Sequence, residues 1–129
     1  MTFPENIWPV IGRSMMGGLF VIGGLQKMLD PGPVMQLLAD QGMAEDLIVP
    51  AALLNLCAGA CVIFNWYLRP TCFLLAAYCG FTSLFHLVPT DGWQMSIFVK
   101  NWAIVGGFLC LSALGSRSKS LDPDENGKT

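Results

Sequence analysis

The chain has 129 residues, of which 53% are hydrophobic and 12% charged, with a formal net charge of -2. That length suits one domain. A soluble domain carries about twice that share of charge, and a single core of this size in water could not hide so many apolar side chains. Lipid is the natural solvent for the excess. The slight acidity also removes the basic face that nucleic-acid binding needs.

Met1 to Glu5 lacks the basic run of a secretory leader, and no Ala-x-Ala site follows. The first apolar stretch, from about Ile7 to Met28, is therefore expected to stay as a membrane anchor. Asp30-Pro31-Gly32-Pro33 ends it. Val34, Leu37 and Leu38 then recur at helical spacing, with Gln36, Asp40 and Gln41 among them. This predicts a short helix over Pro33 to Asp40, lying at the membrane surface or tucked onto the bundle. A second apolar stretch runs from about Leu47 to Trp66, and a tight link near Asn65 to Arg69 leads to a third, from about Pro70 to Val88. Pro89-Thr90-Asp91-Gly92 makes a turn, and the fourth stretch runs from about Ile97 to Leu114.

Each stretch approaches the ~20 residues that cross ~30 Å of hydrocarbon. Apolar residues cover all sides of these helices, unlike an amphipathic helix in a soluble core. No alternating pattern supports a barrel. From Ser116 to Thr129 the chain is polar without apolar periodicity, which predicts a disordered tail. The expected fold is all-α. An integral membrane four-helix bundle fills residues 1–115, with a short interfacial helix between the first and second spans, and a polar cytoplasmic tail fills 116–129.

Small residues recur four apart at Ser14 and Gly18, Ala76 and Gly80, and Ala103 and Gly107. Such pairs let helices approach closely in lipid, either within one chain or across a homodimer. Gly17, Gly18, Gly23 and Gly24 make the first span rich in glycine and mark tight packing. The five cysteines, Cys57, Cys61, Cys72, Cys79 and Cys110, lie in apolar stretches with no Cys-x-x-Cys pair, and read as small packing residues. No metal motif is present. The single histidine, His86, excludes a bis-histidine haem within one chain.

The basic residues set an expected orientation. With four crossings, Arg13, Arg69, Arg117, Lys119 and Lys128 share one side, which should be cytoplasmic and hold both termini. Lys27 and Lys100 lie on the other side with Asp30, Asp40, Glu45, Asp46 and Asp91. Trp8, Trp66 and Tyr67 suit the inner interface, and Trp93 and Trp102 the outer one.

Polar groups inside the spans are few, and ionisable ones at membrane depth are costly. Arg13 and Lys27 lie roughly 21 Å apart along one helix, less than the ~30 Å hydrocarbon thickness. One of them must snorkel or find a partner in the bundle. For Arg13 the plain reading is snorkelling into the cytoplasmic interface. Asn55 lies deeper and reads as a hydrogen-bonding link between helices. Lys27, His86, Lys100 and Asn101 all fall at the outer end of their helices, where Asp30 and Asp91 could pair with them. Such a polar cap could hold an anionic or carbonyl-bearing ligand, for instance a quinone head group. It could equally be an ion-paired interfacial belt with no ligand.

The run Gly17-Gly18-Leu19-Phe20-Val21-Ile22-Gly23-Gly24-Leu25-Gln26-Lys27, followed by Asp30-Pro31, resembles the Gly-x-x-Phe-x-x-x-Gly-x-x-Lys pattern of the DoxX family of small four-helix membrane proteins. Gln41-Gly42-Met43, Leu84-Phe85-His86, Phe98-Val99-Lys100-Asn101-Trp102-Ala103 and Gly106-Gly107 extend the likeness over about Ile11 to Leu114. The family often carries a glutamate in the second span, where this chain has Asn55.

The resemblance implies a place in a bacterial inner membrane, beside quinone-linked redox systems. The first functional expectation is a non-catalytic accessory subunit of a larger respiratory or photosynthetic complex, with other integral membrane subunits and lipids as partners. The alternative is a quinone-interacting oxidoreductase subunit with its site at the outer face. A solute carrier fits less well, because Pro50 is a single interruption without a paired one.

Overall fold

The structure, a computed structural model, describes residues 7–120. It contains α1 (Ile7–Leu29), α2 (Gly32–Asp40), α3 (Ile48–Ile63), α4 (Leu68–Ser83) and α5 (Gly92–Ser120). A 3-10 turn, Glu45–Leu47, leads into α3, and another, Leu84–His86, continues α4. Four stretches are long and apolar enough to cross a membrane: Ile7–Leu29, Glu45–Ile63, Leu68–His86 and Gly92–Leu114. The architecture is an all-α membrane bundle with one short extra helix, as the sequence predicts.

The helix ends follow from local chemistry. Pro33 lies in the first turn of α2, where its missing N–H costs nothing. Gly42, at φ +69°, closes α2. The Met43 N–H returns to the Leu38 carbonyl and the Gly42 N–H to that of Ala39, the hydrogen-bond pattern that glycine makes at a helix C-terminus. The α3–α4 link turns sharply through Asn65 (φ 60°) and Tyr67 (φ 46°). The Trp66 N–H bonds back to the Cys61 carbonyl.

Helix α5 starts five residues earlier than the apolar pattern indicates, at Gly92 rather than Ile97. Asp91 causes this: its Oδ1 accepts from the backbone N–H groups of Trp93 (3.0 Å) and Gln94 (3.4 Å), satisfying donors that a helix start leaves free. Helix α5 also runs past Leu114 to Ser120, so the first part of the expected tail continues the helix. The rest of that tail, residues 121–129, lies outside the described residues.

The helices form a closed ring, α1–α3–α4–α5, in two tight antiparallel pairs. Helices α1 and α3 pack extensively on each other, as do α4 and α5, while α3–α4 and α1–α5 meet more lightly. Glycine makes the first pair. A β-carbon placed on Gly17 would stand 2.6 Å from the Gly59 carbonyl oxygen, and one on Gly59 would stand 2.7 Å from the Gly17 carbonyl oxygen. One on Gly24 would meet Leu56 Cγ at 2.8 Å. The expected Ser14–Gly18 pair plays no such part, since a β-carbon on Gly18 meets nothing within 4 Å.

The seam between the two pairs is filled at one end. Phe20 of α1 meets Phe108 of α5 edge-on, with ring centroids 5.3 Å apart. Val62, Cys72, Leu75 and Phe108 are fully buried there. Around the outside, large apolar side chains face outward on every span, including Met15 at 71% exposure, Ile22 at 58%, Val49 at 60% and Val99 at 63%. A surface of this kind is stable against lipid and not against water.

Two outcomes test this fold. The protein should stay in the membrane pellet through an alkaline carbonate wash, and its release into the supernatant would contradict four spans. Gly17→Leu should lower the thermal midpoint in detergent sharply, because overpacking of this kind costs typically ~1–3 kcal/mol. Gly18→Ala should leave the midpoint unchanged or slightly raised.

Candidate functional site

The other end of the seam stays open. The antiparallel pairing brings the C-terminal end of α1, the start of α3, the end of α4 and the start of α5 to one face. Between them lies a cavity of about 710 Å3, within the ~300–1,000 Å3 typical of small-molecule sites. Its walls are apolar, from Leu19, Phe20, Leu54, Phe81, Phe85 and Ile104. Helix α2 closes one side with Val34, Leu37 and Leu38, and its glycine turn places Met43 there too. The amphipathic α2 therefore lies over the cavity with Gln36 and Asp40 outward, the Gln36 amide donating to Asp40 Oδ1 at 2.9 Å.

Lys27, His86, Lys100 and Asn101, the four residues expected to converge, all line this cavity, and so does Asn55. Their depths differ from the expectation. With α5 starting at Gly92, Lys100 and Asn101 lie more than two turns inside the helix rather than at its start. Trp102 likewise lies within the span, against Gly80 of α4, rather than at its end. Arg13 is on the opposite half of α1 and lines no part of the cavity. Its Nε is buried and has no hydrogen-bond partner among the described residues.

Lys27 turns inward. Its Nζ donates to the Gly23 carbonyl at 3.4 Å. With the Asn55 amide oriented to satisfy both of its atoms, the amide oxygen accepts from Lys27 Nζ at 2.9 Å and the nitrogen donates to the Ala51 carbonyl at 3.3 Å. Asn55 is buried at 3% exposure, so this bond forms inside the bundle. Tyr78 lines the cavity as well. At the mouth, His86 Nδ1 donates to Gln94 Oε1 at 2.6 Å. Deeper in, the Cys79 thiol donates to the Asn101 carbonyl at 3.6 Å.

Sequence reasoning missed Tyr78, Cys79 and Gln94. Gln94 was hidden by reading residues 89–94 as a turn. Tyr78 offered a signal, because a tyrosine in mid-span needs a partner for its hydroxyl. The pairing of Lys27 with Asp30 or Asp91 does not form among the described contacts, since Asp91 caps α5 and Asp30 is exposed.

Removing one partner of the Lys27–Asn55 bond strands the other. Asn55→Leu should lower stability in detergent by ~1–3 kcal/mol, whereas adding Lys27→Met should recover most of that loss. Thermal midpoints of the single and double variants measure this directly.

The DoxX family matches residues 8–88, from the start of α1 through the turn after His86. Lys100 and Asn101 on α5 fall outside that match. The chain is also similar to "Inner membrane protein YqjF" of Escherichia coli (strain K12), 28% identical over 119 residues, covering 92% of each chain. No solved structure matches it. The family match spans more than half of the sequence and contains the α1–α3 pair, the α2 cover and α4, and this protein belongs to the DoxX family.

Proposed function

We propose that this chain is an inner-membrane subunit that holds a quinone-class head group in the cavity between its helix pairs, as part of a larger redox assembly. One observation carries the reading. An apolar space of about 710 Å3 gathers Lys27, Asn55, His86, Lys100 and Asn101 from four different helical segments. A quinone needs this combination, an apolar slot for its ring and tail and hydrogen-bond donors for its carbonyl oxygens.

The residues present fit such a group. The Lys27 ammonium keeps donor capacity beyond its bonds to Gly23 and Asn55. The His86–Gln94 pair fixes the imidazole at the mouth through its Nδ1–H, which leaves Nε2 as an acceptor for the hydroxyl of the reduced, quinol form or for water. These groups bind, orient and hold protons. Electrons of a quinone couple would pass to or from a partner protein, which makes the chain an accessory subunit rather than an enzyme by itself.

The four spans and the relative's description as an inner membrane protein support the location. Arg13 and Arg69 lie at the opposite end of the bundle from the cavity. Asp30, Asp40, Glu45, Asp46 and Asp91 surround the cavity end. This asymmetry favours a cavity facing away from the cytoplasm.

Decylubiquinone titrated into the protein in neutral detergent should bind saturably. Lys27→Met and Lys100→Met should each weaken it about tenfold or more, since a hydrogen bond to a charged group contributes ~1.5–3 kcal/mol. Unchanged affinity in both variants would reject the quinone site. Recovery of the native protein from its own membrane with no companion would reject the subunit role.

A further inference from the structure

The charges around the cavity do not balance. Among the described residues two lysines and one histidine line it, and no aspartate or glutamate does. The carboxylates at this end of the bundle are engaged or turned away. Asp91 accepts from the backbone at the start of α5, Asp40 accepts from Gln36, and Asp30, Glu45 and Asp46 are exposed. Lys27, half-buried, has only the neutral acceptors Gly23 and Asn55 as hydrogen-bond partners among the described residues. An ammonium in apolar surroundings is costly without a counter-charge. Here the missing counter-charge is left to whatever enters.

We propose that the cavity binds a long-chain carboxylate, with its head group on Lys27 and Tyr78 and its chain along Phe20, Leu54 and Phe81. A carboxylate offers two acceptor oxygens, one for the Lys27 ammonium and one for the Tyr78 hydroxyl. Both donors line the same cavity as Asn55, so both oxygens can be met within it. No arginine among the described residues lines the cavity, so the forked donor that suits phosphate is not among the groups there. Lys100 is exposed, so a monoanion matches the one half-buried ammonium, that of Lys27, with less desolvation than a dianion. The apolar walls receive the chain, and α2, lying over the cavity, covers it from the aqueous side. This binding goes beyond the quinone reading and does not depend on it, because it rests on net charge rather than on a carbonyl pair.

Radiolabelled oleate, with the full chain in phosphatidylcholine nanodiscs, tests this. Oleate should bind saturably at one site per chain. Methyl oleate, which keeps the chain and loses the charge, should compete at least about tenfold more weakly. Lys27→Gln should lower oleate affinity to the level of the ester. Asn55→Asp supplies Lys27 with a counter-charge from within the protein. It should therefore lower oleate affinity by a similar factor while elution profile and helix content stay unchanged. Equal affinity for oleate and its ester, full oleate binding by Asn55→Asp, or absence of saturable binding by the unaltered protein would each overturn the proposal.

Discussion

The close approach of α1 to α3 at Gly17 and Gly59 sets the rest of the structure. Apolar surface gives helices little reason to associate in lipid, so backbones must come near enough for dense van der Waals contact. A β-carbon at either glycine would overlap the carbonyl oxygen of the other. Nothing of comparable intimacy joins α3 to α4 or α1 to α5. The bundle is therefore two pairs with a seam between them, rather than four equivalent neighbours. Phe20, Phe108, Leu75 and Val62 fill that seam at one end. At the other it widens into the cavity, and α2 lies over the gap.

The polar chemistry follows from that seam. A lysine two residues from the end of α1 would ordinarily reach out to the interface. Lys27 instead bonds Asn55 at 2.9 Å inside the bundle, because the paired helices place an amide there and the seam gives the side chain room. The same arrangement brings His86, at the end of α4, and Lys100 and Asn101 of α5 to one largely apolar cavity. Electrostatic interactions gain strength in such a place, and an uncompensated charge becomes expensive. A membrane protein can turn this into recognition, since a ligand that supplies the missing acceptor or charge gains more there than at the surface.

Much of this was legible along the chain, for identifiable reasons. Four apolar stretches of near-spanning length, punctuated by Asp-Pro-Gly-Pro and Pro-Thr-Asp-Gly, gave the helix count and the antiparallel order, because hydrocarbon thickness fixes span length whatever the packing. The short α2 was legible from Pro33, Gly42 and its one-sided apolar pattern. Convergence of Lys27, His86, Lys100 and Asn101 followed from counting crossings alone. The start of α5 was misplaced because hydropathy cannot see a cap: Asp91 and Gln94 read as loop by polarity but belong to the helix by hydrogen bonding. Of the glycines that mark tight packing in the first span, Gly17 and Gly24 make the close contacts, and Gly18, singled out by its spacing from Ser14, makes none. Gly17 and Gly18 are adjacent, and the helical rotation that turns Gly17 toward α3 leaves Gly18 facing open space.

By itself, the sequence determined the solvent, the number of spans and the end of the bundle at which the polar residues gather, because each depends only on composition and on distance along one helix. The tertiary structure alone decided that these residues share one cavity, that Lys27 bonds Asn55, and that Tyr78, Cys79 and Gln94 join them. Those facts depend on the rotation and spacing of one helix against another. Packing at a few glycines sets both, and no pattern along a single strand of text records them.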